Sequence, residues 1–253
     1  MKSAIFQCDT RNQQIDENLV RYNRILSSLE TDTDLVVMPE MFLTGFTANI
    51  RQAKYAPLGL EFMKQVAKTK NTAICGSLLV EENGKYYNRH YFVEDENTVF
   101  HYDKRHLFSL SNEAKVLTAG TEKRIINYRG WNICLITCYD LRFGYSFHNA
   151  AGNDGPNYDL IVCVASWADV RVNVWDILLR ARAIENQCYV LGCNRCGIDD
   201  TNLTYSGHSV ALNYKGDVIA RANDTKEEIT YVLLERKPLL DFRNAFPVWK
   251  DWD

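Results

Sequence analysis

The segment LITCYDLRFG, residues 135–144, joins a strand-like start to a reactive end. Its first three residues are apolar or β-branched, which is typical of a strand covered on both faces. A thiol at Cys138 and an acid at Asp140 then appear where the strand should end. Either a buried strand ends in an ordinary polar turn, or the cysteine is a nucleophile held on a sharp turn.

The rest of the chain alternates apolar strand-like runs with helical patterns and hairpin turns. Apolar residues recur at helical spacing in some segments, and turns such as Arg129-Gly130 separate pairs of strand-like runs in others. This mixture predicts an α/β layered protein with mixed sheets. The predicted strands span residues 2–8, 35–38, 72–80, 86–92, 98–102, 124–128, 131–137, 160–165, 188–193, 208–213, 218–222 and 229–234, and the predicted helices span residues 15–29, 58–69 and 173–186.

The composition is that of an ordinary globular protein. The chain has 253 residues, of which 46% are hydrophobic and 24% charged, and no low-complexity linker divides it, so we expect one domain over residues 1–253. A net charge of -3 without a clustered basic patch argues against a nucleic-acid partner. No apolar run approaches the length of a membrane span, and the N-terminus lacks signal-peptide features. We therefore expect a soluble cytoplasmic protein with no membrane partner.

Eight cysteines raise the question of metal or redox chemistry. Several lie inside apolar runs, where a cysteine behaves as a small hydrophobic residue. Cys193 and Cys196 form the one C-x-x-C pair, but the few histidines are scattered and no second ligand pair stands at suitable spacing. The sequence predicts reduced thiols, with no metal and no cofactor.

Three reactive residues share one setting, because each follows an apolar strand. Glu40 follows the run at 35–38, Lys104 follows the run at 98–102, and Cys138 follows 131–137. Sites in α/β sheets are built at strand ends. Together the three would serve amide hydrolysis, with a thiol to attack, a carboxylate to move the proton and an ammonium to stabilise the oxyanion.

Each residue also has a simpler interpretation. Glu40 could be an acid at a helix N-terminus, Lys104 a solvated surface lysine, and Cys138 an inert buried cysteine. The functional interpretation depends on finding all three residues in similar strand contexts.

The blocks around these residues resemble the signatures of the nitrilase, or carbon–nitrogen hydrolase, superfamily, and the likeness extends over essentially the whole chain. It implies a four-layer αββα sandwich with two mixed sheets, usually paired into a homodimer. The matching blocks are Pro39-Glu40-Met41-Phe42, Lys104-Arg105-His106-Leu107-Phe108, Cys138-Tyr139-Asp140-Leu141-Arg142-Phe143, residues 180–187, residues 193–197 and residues 205–209.

The resemblance also implies roles for individual residues. It makes Glu40 the general base, Lys104 the oxyanion stabiliser and Cys138 the nucleophile, with the backbone N–H of Tyr139 as second oxyanion donor. The family often has a further glutamate after the lysine, and Glu113 is the nearest candidate for this supporting acid, although it could also be a solvated loop residue.

Within the superfamily the chain resembles the ω-amidase branch, whose members hydrolyse the ω-amides of small keto acids. Such substrates carry a carboxylate, which a guanidinium binds well. Arg142 is the first candidate for this contact and Arg171 the second, while Trp167 could wall the pocket. Arg142 could instead brace the turn through an ion pair, and Trp167 could serve core or dimer packing. Gly144 departs from the proline that many relatives carry after the Arg-Phe pair.

The leading hypothesis is therefore a hydrolase of 2-oxoglutaramate or 2-oxosuccinamate that works through a thioester. Alternative substrates are N-carbamoyl amino acids or other aliphatic amides, and a nitrile fits less well. An alternative of another class is a non-catalytic dimeric binding protein on the same fold, against which the presence of Glu40, Lys104 and Cys138 argues. A thiol redox sensor has only the cysteine count behind it.

Overall fold

Two six-stranded mixed sheets form the centre of the molecule, as a computed structural model of residues 1–152 and 155–252 shows. The strands of the described residues are, in chain order, β1 (Lys2–Gln7), β2 (Leu35–Val37), β3 (Ala73–Glu82), β4 (Lys85–Val93), β5 (Val99–Asp103), β6 (Arg124–Tyr128), β7 (Trp131–Thr137), β8 (Ala151–Gly152), β9 (Gly155–Pro156), β10 (Leu160–Ala165), β11 (Tyr189–Asn194), β12 (Cys196–Ile198), β13 (Thr204–Ser206), β14 (Val210–Leu212), β15 (Val218–Arg221) and β16 (Glu228–Leu233).

The first sheet has the order β16-β1-β2-β3-β4-β5, and the second has the order β15-β14-β11-β10-β7-β6. In each sheet three central strands run parallel, namely β1, β2 and β3 in one and β7, β10 and β11 in the other. The outer strands of both sheets pair antiparallel. Two short ribbons, β8 with β9 and β12 with β13, stand apart from these sheets.

Helices cover the outer faces of the two sheets. The α-helices are α1 (Ile15–Leu26), α2 (Ala56–Lys70), α3 (Glu113–Val116), α4 (Gly144–Phe147), α5 (Val172–Glu185) and α6 (Arg236–Ala245), and 3₁₀ turns span Ile50–Tyr55, Cys138–Arg142, Asp169–Arg171 and Val248–Asp251.

Buried apolar side chains hold the sandwich together at three interfaces between its secondary-structure layers. Leu35 and Val37 of the first sheet share a fully buried cluster with Ile133 and Leu135 of the second, which joins the sheets face to face. A separate cluster packs α1 and α2 against the other face of the first sheet, while α5 packs on the second sheet. The layers therefore run α, β, β, α, which confirms the predicted fold class.

The observed elements depart from the prediction in a few places. Strands β6, β7 and β10 have the predicted bounds. Helix α1 ends at Leu26 rather than at residue 29, and the hydroxyls of Ser27 and Ser28 donate to the carbonyls three residues back. The sequence interpretation did not include α6, in which Pro238 falls within the first turn, where its missing N–H costs no helical bond.

Candidate active site

Glu40, Lys104 and Cys138 meet where the two sheets present their strand ends. Glu40 comes three residues after β2, whereas Lys104 and Cys138 directly follow β5 and β7. Their exposed fractions are 0%, 1% and 9%, respectively. The structure therefore brings the three predicted residues together, and Lys104 is not a solvated surface lysine.

The Lys104 ammonium lies between two carboxylates. Its Nζ donates to Glu40 Oε1 at 2.8 Å and to both carboxylate oxygens of Glu113 at 3.0 and 2.9 Å. Glu113 begins α3 and is fully buried, so it is not a solvated loop acid. The main-chain N–H of Phe108 donates to Glu113 Oε2 at 2.7 Å and fixes this carboxylate from the loop that follows Lys104.

Two contacts of Glu40 escaped the sequence interpretation. Asn88 on β4 donates to Glu40 Oε1 at 2.8 Å, and the main-chain N–H of Ser166 donates to Glu40 Oε2 at 2.9 Å. Ser166 directly follows β10, so it occupies another strand end and could have been sought by the same rule. Asn88 lies inside a strand, and nothing in its local sequence distinguishes it from an ordinary polar strand residue.

The site shifts the proton affinities of the lysine and the cysteine. Burial lowers the pKa of Lys104, but the carboxylates of Glu113 and Glu40 outweigh burial and raise that pKa well above its ordinary value. Burial and the Glu40 carboxylate raise the pKa of the Cys138 thiol, although Lys104 acts in the opposite direction. The lysine therefore stays cationic, and the cysteine rests as a thiol rather than a thiolate.

Cys138 stands on a sharp turn with unusual backbone geometry. Its φ of 49° lies in the left-handed region, which few residues other than glycine adopt. The residue opens the 3₁₀ turn Cys138–Arg142. The buried guanidinium of Arg182 donates through Nε and Nη2 to the carbonyl of Leu141 and ties this turn to α5.

The structure gives a steric reason for a glycine at position 144. A Cβ at this position would lie 2.6 Å from Nη1 of Arg182, which is the side chain that holds the turn. Glycine at this position therefore leaves room for the Arg182 guanidinium.

Asp140 connects three segments around the site. Its Oδ1 accepts from the main-chain N–H of His106 at 2.9 Å and lies 2.8 Å from Nδ1 of the same residue. Its Oδ2 accepts from the Tyr102 hydroxyl at 2.7 Å and from the main-chain N–H of Thr137 at 3.0 Å. Because His106 follows Lys104 by two residues, Asp140 links the loop of the lysine to the turn of the cysteine.

A cavity of about 270 Å³ opens onto Cys138 and Lys104. Tyr139, Arg142, Trp167 and Arg171 also line it, so the structure places every predicted substrate contact at the same cavity. Its size suits a small molecule rather than a polymer.

The two arginines reach this cavity without acidic partners. No carboxylate of the described residues lies within 4.0 Å of the Arg142 or Arg171 guanidinium, so the alternative bracing ion pair of Arg142 is not found there. The Arg142 guanidinium instead lies 5.0 Å from the centre of the Trp167 ring, and that of Arg171 lies 5.5 Å from the Phe108 ring. Trp167 serves packing as well, because its ring contacts buried Trp175.

Cys138 lines the cavity, and the other seven cysteines do not. All eight are unpaired and buried. Across residues 1–152 and 155–252, no three or more His, Cys, Asp or Glu side chains group so as to hold a metal ion. Over the same ranges, every helix is too short or too polar to cross a membrane.

Comparison with known proteins places this geometry in context. Residues 2–243 match the sequence model described as carbon-nitrogen hydrolase. The chain is 38% identical over 237 residues to the omega-amidase YafV of Escherichia coli strain K12, which covers 93% of this chain and 90% of that protein. It is also 30% identical over 253 residues to the 2-oxoglutaramate amidase of Bacillus subtilis strain 168, and this alignment covers 98% of this chain and 96% of that protein.

A solved structure agrees with the fold. The protein XC1258 from Xanthomonas campestris, described as a CN-hydrolase superfamily protein with an arsenic adduct in the active site, superposes with a TM-score of 0.95. The two are 31% identical, and the superposition covers 100% of this chain and 97% of the other.

Proposed function

This chain belongs to the carbon–nitrogen hydrolase family and is a hydrolase of amides, and on that premise we propose that it cleaves the ω-amides of small dicarboxylic keto acids. Candidate substrates are 2-oxoglutaramate and 2-oxosuccinamate. The observation that carries this proposal is one cavity lined by the Cys138 thiol, the Lys104 ammonium and two guanidiniums without acidic partners among the described residues. Relatives named omega-amidase and 2-oxoglutaramate amidase support the same substrate class.

In the first step Glu40 acts as general base toward the Cys138 thiol. Because the raised pKa keeps the thiol protonated, the proton moves to the Glu40 carboxylate as sulfur attacks the amide carbon. Negative charge then develops on the amide oxygen. The Lys104 ammonium and the Tyr139 main-chain N–H stabilise this oxyanion.

In the second step the tetrahedral intermediate collapses to a thioester. The carbon–nitrogen bond breaks, the leaving nitrogen takes the proton held by Glu40, and ammonia departs. Water then attacks the thioester with Glu40 again as base, and the thiol leaves with the returned proton. The balance is one amide and one water consumed for one carboxylic acid and one ammonia.

Glu113 supports the cycle without touching the substrate. It holds the Lys104 ammonium with two oxygens and keeps it cationic together with Glu40. Its carboxylate oxygens accept from Lys104, from Asn88 and from the main-chain N–H of Phe108. Its role is therefore to position the lysine.

Arg142 and Arg171 give the cavity its preference for a substrate with a distal carboxylate. Either guanidinium offers paired donors of fixed geometry, which suits a carboxylate better than an uncharged group. Trp167 supports both, since Arg142 lies over its ring and its indole N–H donates to the main-chain carbonyl of Arg171 at 2.7 Å.

The homodimer, which the resemblance implies, and the cytoplasmic location, which the sequence composition indicates, remain predictions. Ile177 and Ile184 on α5 are 56% and 55% exposed, and an apolar helix face of this kind is what a second copy of the chain could cover.

A substrate panel tests the proposed activity. Ammonia release is measured with 2-oxoglutaramate, 2-oxosuccinamate, N-carbamoyl-β-alanine, simple aliphatic amides and a nitrile. We expect the highest kcat/KM for the two keto-acid amides. Clear turnover of the other compounds, with none of the keto-acid amides, would exclude ω-amidase activity and leave the general amidase mechanism in place.

A further inference from the structure

Asn88 is a buried amide that contacts both carboxylates of the site. It lies on β4 and is fully buried. Its Nδ2 donates to Glu40 Oε1 at 2.8 Å and to Glu113 Oε1 at 3.0 Å. Both hydrogens of the amide nitrogen are therefore used by the two acids that also bind Lys104.

These contacts close a ring of hydrogen bonds. Lys104 joins Glu40 to Glu113 on one side, and Asn88 joins the same two oxygens on the other. The main-chain N–H groups of Ser166 and Phe108 hold the other oxygen of each carboxylate. Asn88 adds a second bridge between Glu40 Oε1 and Glu113 Oε1, so the positions of these two oxygens relative to each other do not depend on the lysine alone.

The main chain of Asn88 restrains the lysine as well. Its carbonyl accepts from the main-chain N–H of Lys104 at 2.9 Å. One residue therefore holds the backbone of Lys104 directly and the ammonium through the two carboxylates.

The charge of the cluster explains why an amide suits this position. Two carboxylates and one ammonium are buried beside the Cys138 thiol. A lysine in place of Asn88 would add a competing cation for the carboxylate that must accept the thiol proton. An aspartate would add a third negative charge, which disfavours ionisation of that same carboxylate.

We propose that Asn88 is a positioning residue that sets the geometry between the base Glu40 and Lys104. This inference rests on the proposed function, in which Glu40 accepts the thiol proton. Asn88 does not line the cavity, so it acts through the two carboxylates and not through the substrate.

The test compares Asn88→Asp and Asn88→Ala with the wild-type enzyme on its best amide. We expect kcat to fall by about a hundredfold in both variants, the cost of misplacing reacting groups by about 1 Å. KM should change less than about twofold, because no substrate contact is removed. In Asn88→Asp the acid limb of the kcat/KM profile should also move to higher pH, because a third buried carboxyl group opposes negative charge on the cluster.

Asn149→Asp is the matched control. Asn149 is also fully buried and donates through Nδ2 to the carbonyls of Tyr158 and Asn186, without contact to the catalytic carboxylates. This control should lose stability, measured by urea denaturation, while its pH profile stays in place.

Two results would overturn the inference. One is wild-type kcat in Asn88→Ala, and the other is an Asn88→Asp enzyme whose acid limb does not move. If Asn88→Asp does not fold, Asn88→Ala decides alone, because it adds no charge. Failure of the proposed function appears separately, as a wild-type enzyme that hydrolyses no keto-acid amide.

Discussion

Replacing Asp140 by asparagine should destabilise the protein through one unpaired main-chain group. The aspartate is fully buried and accepts from Thr137, Tyr102 and His106. Asn keeps the shape but offers one oxygen and one NH₂ group. The Tyr102 hydroxyl and the His106 ring can reverse their roles toward an NH₂, whereas a main-chain N–H cannot.

The magnitude follows from counting donors. Whichever way the amide is oriented, either the Thr137 N–H or the His106 N–H faces the NH₂ group. One buried unpaired donor costs about 1–3 kcal/mol, and the bonds that remain lose about 1 kcal/mol of charge assistance. We therefore expect Asp140→Asn to lower the free energy of unfolding by about 2–4 kcal/mol. For a chain of this length, that corresponds to a Tm lower by roughly 5–15 °C.

The assay is urea denaturation followed by circular dichroism, with Asp95→Asn as the control. Asp95 also accepts from main-chain N–H groups, those of Asn97 and Thr98, but on an exposed turn. Replacing Asp95 by asparagine should lower the free energy of unfolding by no more than about 0.5–1 kcal/mol, because water can satisfy the freed donors. If Asp140→Asn costs no more than Asp95→Asn, Asp140 does not hold the segments together as argued.

Three further outcomes can be measured. Cys138→Ala should lower turnover by about a million-fold, by analogy with hydrolytic triads, while the urea midpoint stays unchanged. Near-normal rates would mean that another group is the nucleophile. Arg142→Lys should raise KM for carboxylate-bearing amides by about tenfold and for uncharged amides little, and an equal rise for both would exclude carboxylate binding by Arg142. Burial lowers the pKa of His90 to about 3. Its ring therefore stays neutral in the folded chain and gains a proton only on unfolding. The free energy of unfolding should fall as pH falls from about 6.5 toward 3, and His90 contributes up to about 1.4 kcal/mol per pH unit to this slope. His90→Leu should reduce that slope, and an unchanged slope would contradict the assignment.

Much of the fold could be predicted because its central strands are short apolar runs with clear ends. Strands β7 and β10 are buried on both faces, so nearly every residue in them is apolar and their bounds stand out. Helix α6 was harder to recognise, since only Leu239 and Arg243 of it are buried and a proline stands in its first turn.

The site could be predicted only where a reactive residue stands in a recognisable local sequence context. Glu40, Lys104 and Cys138 follow strands, and that context is visible locally. The contact from Asn88 depends on the pairing of β4 with β5, which aligns Arg89 with Asp103 and brings the Asn88 carbonyl to the N–H of Lys104. Such a register is set by the whole sheet and not by the residues near Asn88.

The backbone conformation of Cys138 explains why charged residues follow strand β7. The left-handed conformation of Cys138, with φ 49°, costs a residue other than glycine about 1–3 kcal/mol. Glycine would adopt it freely but would bring no thiol, so the conformation must be held from outside. Asp140 holds the turn through the N–H of Thr137, and Arg182 holds it through the carbonyl of Leu141. Asp140 therefore acts on the turn that holds Cys138, and its bonds to His106 extend the same restraint to the loop after Lys104.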